Sequence, residues 1–310
     1  MSTFLVTGGA GFIGSHLVEA LVREGDQVRV LDNLSSGRIE NLAGVEDQVE
    51  LISGDVQDVS ACRKALDGVE VVFHLAALAS VPASIATPAK THDACLTGTL
   101  QMLDAARHAN VRRFIFASSS SLYGNRNDEV QTESDLPAPE SPYAAAKLAG
   151  EQYCHAFHRS YGLETVCLRY FNVFGPRQDP ASQYAAVIPA FITAILEGES
   201  PVVFGDGEQT RDFTYVSNIV QANVLAATQA GASGGTFNIA NGESTSLLEL
   251  LDLLRELLDL SFEARHDPPR DGDVRHSRAD IRQAQDLLGY RPTAGLSEGL
   301  SSTIEYYRGS

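Results

Sequence analysis

The most constraining feature of this chain is a glycine-rich turn, Thr7-Gly8-Gly9-Ala10-Gly11-Phe12-Ile13-Gly14, set between an apolar run from Phe4 and a helical pattern from Phe12. A turn of this kind brings backbone close to an anionic ligand, and the helix behind it offers the positive end of its dipole. Gly8 would permit the tight turn, Gly11 would let backbone approach a pyrophosphate, and Gly14 would let the helix pack against the sheet. Glycine turns between strands and helices are common, so the context decides. The second apolar run ends in Asp32, where a carboxylate can bind both hydroxyls of a ribose and repel the extra phosphate of NADP. Turn and carboxylate together predict an NAD site.

Strand-like runs alternate with helical stretches through the first half of the chain. The runs are Phe4 to Thr7, Val28 to Leu31, Val49 to Ile52, Val69 to Leu75, Phe114 to Ala117 and Thr165 to Leu168; the helices are Phe12 to Arg23, Ala89 to Ala109 and Tyr143 to Tyr161. Helical crossovers imply parallel strands. The predicted fold class is therefore α/β, a doubly wound parallel sheet of the Rossmann type with a second, smaller substrate-binding lobe. Beyond about Asn172 the pattern breaks into short pieces punctuated by Gly175-Pro176, Gly198 to Pro201, Gly205 to Gly207 and Pro268-Pro269. Residues 1–171, rejoined by about 212–240, are expected to form the NAD-binding unit, and 172–310 mainly the smaller lobe. The helix Leu247 to Leu258, with leucines on one face and a capping box of Ser246 and Glu249, is expected to serve packing only.

Composition narrows the function classes. A formal net charge of −17 opposes binding to nucleic acid or an anionic membrane, although a few arginines gathered at one cleft can still hold a nucleotide. Cys62, Cys95, Cys154 and Cys167 lack metal-ligand or disulfide spacing and are expected as buried thiols. His155 and His158 sit three apart on a helix without carboxylate partners, so no metal is expected. No apolar run is long enough to span a bilayer, and the first strand begins too early for a secretory leader, which predicts a cytoplasmic protein.

The chemistry concentrates in two further segments. Ser118-Ser119-Ser120-Ser121-Leu122-Tyr123-Gly124 ends a strand, and Ser141-Pro142-Tyr143-Ala144-Ala145-Ala146-Lys147 opens a helix. Tyr143 and Lys147 are four apart and project from one helical face, so the ammonium, together with the positive charge of a nicotinamide, is expected to act on the phenol and favour phenolate. Proton removal from a substrate hydroxyl becomes possible at that point.

The G-x-x-G-x-x-G spacing, Asp32-Asn33, Gly54-Asp55-Val56, His74-Leu75-Ala76-Ala77 and the Tyr143/Lys147 pair resemble the extended short-chain dehydrogenase/reductase family along nearly the whole chain. Within it the sequence is similar to the UDP-sugar 4-epimerases, and particularly to those that act on UDP-N-acetylglucosamine. By that resemblance Gly8, Gly11, Phe12, Ile13, Gly14, Asp32, Asn33, Ser36, Gly37, Asp55, Val56, Leu75, Ala76, Ala77, Tyr143, Lys147 and Tyr170 would contact NAD. Asp55 and Val56 would flank the adenine, while Tyr170 and Phe171 would face the nicotinamide. Ser119 would join Tyr143 and Lys147 in catalysis, and Ser120 and Ser121 would line the sugar pocket. Asn172 would meet the diphosphate, Arg211 and Arg270 would hold diphosphate and ribose, and Asp273 would bind a ribose hydroxyl. Val187, Ile188 and Val203 to Gly205 correspond to the uracil pocket, or equally to plain core. One departure is Cys95, where the family usually carries asparagine. A homodimer through the long helices Ala89 to Ala109 and Tyr143 to Tyr161 is also implied.

The resemblance further separates reaction types. Dehydratases of the family carry an Asp-Glu pair where this chain has Ser120-Ser121-Leu122, which leaves redox-neutral epimerisation at C4 through a keto intermediate. The gate position corresponds to Ser277, and Ala79, Ser120, Asn172, Gln178 and Ala186 match the acetamido-preferring subgroup; together they imply interconversion of UDP-N-acetylglucosamine and UDP-N-acetylgalactosamine. The alternatives are a UDP-glucose 4-epimerase without acetamido activity, a decarboxylase or reductase on the same scaffold, and a non-enzymatic NAD-binding module. The complete Ser119, Tyr143 and Lys147 set argues against the last.

Overall fold

In the computed structural model, which describes residues 2–125, 130–180, 186–269 and 274–309, each apolar run of the first half forms a strand. The elements are β1 (Thr3–Thr7), α1 (Phe12–Arg23), β2 (Gln27–Asp32), β3 (Val49–Ser53), α2 (Val59–Ala65), β4 (Val71–His74), α3 (Val81–Ala86), α4 (Pro88–His92), α5 (Gly98–His108), β5 (Arg113–Ser119), α6 (Pro142–Tyr161) and β6 (Glu164–Tyr170). Shorter pieces follow: β7 (Val173–Phe174), α7 (Val187–Leu196), β8 (Val202–Phe204), β9 (Thr210–Arg211), β10 (Thr214–Tyr215), α8 (Val216–Thr228), β11 (Thr236–Ile239), β12 (Thr245–Ser246), α9 (Leu247–Leu258), β13 (Arg265–Asp267), α10 (Arg282–Leu288) and α11 (Leu296–Gly309).

Seven strands make one sheet in the order β11-β6-β5-β4-β1-β2-β3, and every pairing in it is parallel. Strand order turns around at β1, between β2 on one side and β4 on the other. That reversal opens a crevice beyond the carboxyl ends of β1 and β4, the usual ligand position of an open α/β sheet. Strands β1, β4, β5 and β6 are buried on both faces. Leu17, Val18 and Leu21 of α1, with Ile219, Ala222 and Ala226 of α8, cover one face; Met102, Leu103 and Ala106 of α5, with Cys154 and Phe157 of α6, cover the other.

A third core, built from α7, α9 and α11 with Phe174, Val203 and Phe213, belongs to the smaller lobe. Helix α9 packs there through Leu247, Leu250, Leu251, Leu254 and Leu258. Its capping box is formed: the Ser246 hydroxyl accepts from Glu249 N at 3.1 Å, and Ser246 N donates back to the Glu249 carboxylate at 2.7 Å. The chain does not divide at one point. Strand β11 joins the main sheet, and Ala279, Ile281, Ala284, Leu288 and Tyr290 pack into the core on the α1 face, so α10 sits with the sheet and not with the lobe.

The helix expected over Ala89 to Ala109 is broken into α4, a π-turn over Asp93–Thr97, and α5. Gly98 N donates to Asp93 O across five residues, which widens the turn. The Thr99 hydroxyl donates to the Cys95 carbonyl at 2.7 Å, so the widened turn keeps its polar groups satisfied. All four cysteines are buried free thiols. His155 and His158 go separate ways, to the Thr236 hydroxyl at 3.1 Å and the Leu163 carbonyl at 3.1 Å. Among the described residues no helix is long and apolar enough to cross a membrane.

Candidate active site

The glycine turn follows β1 directly into the crevice. Gly8 has φ +70°, and a Cβ there would lie 2.9 Å from Ala76 N, in the loop beyond β4. Only glycine meets both conditions. At Gly14 a Cβ would come 2.1 Å from Gly8 O, so this glycine lets α1 close on the turn itself, while Leu17, Val18 and Leu21 pack the helix on the sheet. Gly11 is the N-cap of α1 and no side chain caps the helix, which leaves its first turn open to an anionic group. At the end of β2, Asp32 is buried; its carboxylate accepts from Ala10 N at 3.0 Å and from Leu34 N at 2.8 Å. These bonds fix the carboxylate beside the turn and leave acceptor capacity on both oxygens. A Cβ on Gly37 would stand 3.0 Å from that carboxylate. Asn33 donates to Asp55 at 2.7 Å, Val56 is buried, and Ser36 lies exposed beside them. Leu75, Ala76 and Ala77 are half-buried just beyond β4. The cradle fits a dinucleotide from adenine ribose to pyrophosphate.

A buried polar chain, invisible in the sequence, fixes the loop beyond β4. Thr99 spends its hydroxyl proton on Cys95 O, so at 3.0 Å it must accept from His74 Nε2. Nδ1 of His74 then accepts from the Thr7 hydroxyl at 2.8 Å, and Thr7 in turn accepts from Ala76 N at 3.2 Å. The protons run one way, which sets the imidazole as the neutral Nε2–H tautomer. Burial pushes the His74 pKa down to about 3, with the Lys147 ammonium adding to the effect.

The catalytic candidates converge at the end of β5. Ser119 is the last residue of that strand, and its Oγ accepts from Ser121 N at 3.1 Å. Tyr143 lies in the first turn of α6, whose N-cap Ser141 accepts from Ala144 N at 3.2 Å. Lys147, one turn on, is buried; its ammonium donates to Ala117 O at 2.7 Å and stands 5.8 Å from the centroid of the Tyr143 ring. Electrostatics depart from the sequence expectation. Burial raises the Tyr143 phenol well above its ordinary value, and the opposing influence is its hydrogen bond with Ser119, not the ammonium. Burial also lowers Lys147, which the Glu151 carboxylate partly offsets. The phenol therefore stays protonated until another positive charge arrives.

Behind this pair lies an ion pair that composition and spacing do not reveal. Glu151 accepts two bonds from Arg169, at 2.9 and 2.8 Å, and one from Ser118 at 2.6 Å. Arg169 also donates to Tyr123 OH at 2.8 Å, and Tyr123 donates to Asn238 at 2.7 Å. Helix α6, β5, β6 and β11 are thus tied together directly behind Ser119. The nearest signal in the sequence is Glu151 at one turn beyond Lys147.

The expected substrate residues are placed unevenly. Phe171 is fully buried in the sheet core, 6.1 Å from the Tyr123 ring. Tyr170 is buried too, with its hydroxyl bonded to Asn223 at 2.8 Å. Asn172 takes φ +28° and donates to Asp212 O at 3.4 Å. Val203 and Ile188 pack in the third core, whereas Val187, Gly205 and Arg211 are half-buried and Ala79, Ser120 and Ala186 lie at the surface or partly so. Ser277 is buried, with its backbone N donating to Thr210 O at 3.2 Å beside Arg211. Arg270 and Asp273 lie outside the described residues. Two of the expected substrate residues, Ser121 through Oγ and Gln178 through Oε1, are among those whose buried side-chain oxygen has no hydrogen-bond partner among the described residues.

Fold and site define a dinucleotide-dependent enzyme of the short-chain dehydrogenase/reductase type, with its cofactor at the β1/β4 crevice. The chain belongs to the NAD dependent epimerase/dehydratase family, whose sequence model matches residues 4–240, and its cofactor is NAD. A UDP-glucose 4-epimerase from Mycolicibacterium smegmatis is 41% identical over 309 residues, covering 98% of each chain. A UDP-N-acetylglucosamine 4-epimerase from Methanobrevibacter ruminantium, solved in complex with UDP-N-acetylmuramic acid, superposes with a TM-score of 0.96 at 43% identity, over 99% of this chain and 98% of its own. The Thermotoga maritima UDP-glucose 4-epimerase, solved with UDP-glucose, gives a TM-score of 0.95 at 41% identity over 99% of both chains.

Proposed function

We propose that this protein is a UDP-sugar 4-epimerase that interconverts UDP-N-acetylglucosamine and UDP-N-acetylgalactosamine, and works as a homodimer. The observation that carries the reaction type is the Ser119, Tyr143 and Lys147 set beside the NAD cradle, with no carboxylates at Ser120 to Leu122 to drive elimination of water. NAD, when bound, would supply a hydride acceptor and a positively charged ring. Tyr143 takes the proton of the C4 hydroxyl, aided by Ser119, and returns it after the keto sugar has turned over. Lys147 fixes the ring's surroundings through Ala117 O. Arg211 and Arg270 would hold the diphosphate, and Asp273 a ribose hydroxyl.

Support for the acetylated substrate comes from Gln178. Its amide nitrogen is occupied by Val173 O at 3.1 Å, while Oε1 is buried and unpartnered among the described residues. A buried acceptor without a donor is costly, and the N–H of a 2-acetamido group would satisfy it. Ser277, at the gate position, carries a small side chain. A second reading, UDP-glucose 4-epimerase, is favoured by the names of the Mycolicibacterium and Thermotoga relatives. The test is to incubate the purified enzyme without added NAD with UDP-glucose, UDP-galactose and their N-acetylated counterparts, and to resolve products by NMR. Conversion of the acetylated pair is expected; conversion of UDP-galactose alone would leave only the second reading.

A further inference from the structure

The segment after β6 does more than lead into the smaller lobe. It leaves the sheet at Tyr170, the register partner of Ser119, and by Pro176 it has reached the first turn of α1 beside the glycine turn. Those are the nicotinamide end and the pyrophosphate position of the course that a dinucleotide takes across such a crevice. Successive residues then make separate attachments. Pro176 O accepts from His16 Nε2 at 3.0 Å. The Arg177 guanidinium donates to Ser15 Oγ at 3.2 Å and forms an ion pair with the Glu19 carboxylate. On the far side, Gln178 O accepts from Tyr307 OH on α11.

Arg177 holds this position at φ +68°, a left-handed conformation that a side-chain-bearing residue adopts only at a cost. Its partners explain why that conformation persists. Ser15 is fully buried, and its hydroxyl already donates to Phe12 O at 3.1 Å, so it is oriented to accept from the guanidinium. Arg177 and Glu19 are each about one-fifth exposed, at 20% and 21%, a setting in which an ion pair is screened less than at the open surface. By contrast, the neighbouring pair Arg38 and Asp179, at 3.3 Å, is 62% and 48% exposed and contributes little.

We propose that Pro176 to Gln178 form a latch, with Arg177 as its bolt, that ties the smaller lobe to the cofactor helix and retains NAD between catalytic cycles. Arg177 is a positioning residue: it acts on α1, whose first turn faces the pyrophosphate, and through Gln178 on α11. Release of the dinucleotide requires the latch to leave α1. The inference rests on NAD occupying the glycine-turn cradle and is independent of which sugar is turned over.

The test measures release directly. Enzyme stripped of cofactor and loaded with NADH is diluted into excess NAD, and the loss of bound-NADH fluorescence is timed. Arg177→Met and Glu19→Gln should each speed release at least tenfold, and the exchanged pair Glu19→Arg with Arg177→Glu should recover most of the wild-type rate. Glu19→Gln removes only a charge from a half-buried helix surface, so it reports even where Arg177→Met folds poorly. A purely structural role would lower the melting temperature of the cofactor-free protein without changing the release rate of folded molecules. Release within twofold of wild type in both single variants, or an exchanged pair no slower than the singles, overturns the latch.

Discussion

At the scale of single residues the site turns on one phenol. Tyr143 is kept protonated by burial, and the influence that opposes burial is the Ser119 hydroxyl, not Lys147. Replacing Tyr143 by phenylalanine should leave NAD content unchanged, because the phenyl ring keeps its packing, and should lower kcat by roughly 10²–10⁴-fold, the usual contribution of a positioned proton-transfer group. Retention of more than a tenth of wild-type kcat would assign the proton to another group. The pair was legible because tyrosine and lysine four apart on a helix share a face; its electrostatics were not, since burial is a property of the assembled site. Ser277 poses the specificity question. It is buried beside Arg211, so tyrosine there would add bulk at the gate position. Under the proposed function, Ser277→Tyr should abolish turnover of UDP-N-acetylgalactosamine and spare UDP-galactose, read as kcat/KM for both. Equal losses on the two substrates would show that Ser277 does not act as a gate.

At the scale of elements, legibility followed periodicity and stopped where side chains from distant segments meet. The strand runs, α1 and α9 were readable from apolar spacing alone. The π-turn at Asp93–Thr97 was not, because it depends on Gly98 packing under Val56 and on Thr99 turning its hydroxyl to Cys95. His74 stood out only as part of a motif, yet it joins β1, β4 and α5 through Thr7 and Thr99. That junction has a pH signature. The native state holds His74 neutral down to about 3, against 6.5 for an unperturbed imidazole; between these values the unfolded chain binds the extra proton, so stability is full above 6.5 and is lost as pH falls. Buried Asp212, pushed up to about 7 although three backbone N–H groups donate to it, works in the opposite sense: its favourable share is lost as pH rises through 7. Comparing wild type with His74→Phe cancels Asp212. The stability gap between them, from urea melts, should shrink by about 2–3 kcal/mol between pH 7.5 and 4.5, at roughly 1.4 kcal/mol per pH unit below the imidazole's own pKa. A gap independent of pH would mean that His74 is not held neutral.

At the scale of the whole molecule the decisive quantities are charge and one uncovered face. The helices that close the α5 and α6 side of the sheet leave a groove of about 430 Å³ lined by Pro88, Ala89, His92, Leu96, Pro142, Ala145 and Ala146. Tyr153 on α6 is 38% exposed and Ile85 on α3 is 64% exposed. A second copy docked by a two-fold axis would place this apolar surface against itself, as a self-complementary interface requires. Each chain carries a formal charge of −17, so pairing brings like charges together while it removes apolar surface from water. The two effects respond oppositely to salt. Raising ionic strength from about 0.01 M to 0.15 M shortens the screening length from roughly 30 Å to 8 Å, which weakens the repulsion and leaves the apolar contact intact. Light scattering should therefore give twice the 33.3 kDa of one chain at moderate salt, with dissociation appearing first at low salt and low micromolar concentration. Tyr153→Glu adds a charge to the face itself and should give the single-chain mass at every salt concentration while the fold, read by circular dichroism, is unchanged. A Tyr153→Glu protein that remains a dimer would move the interface to another surface, and a wild type of single-chain mass throughout would refute the dimer.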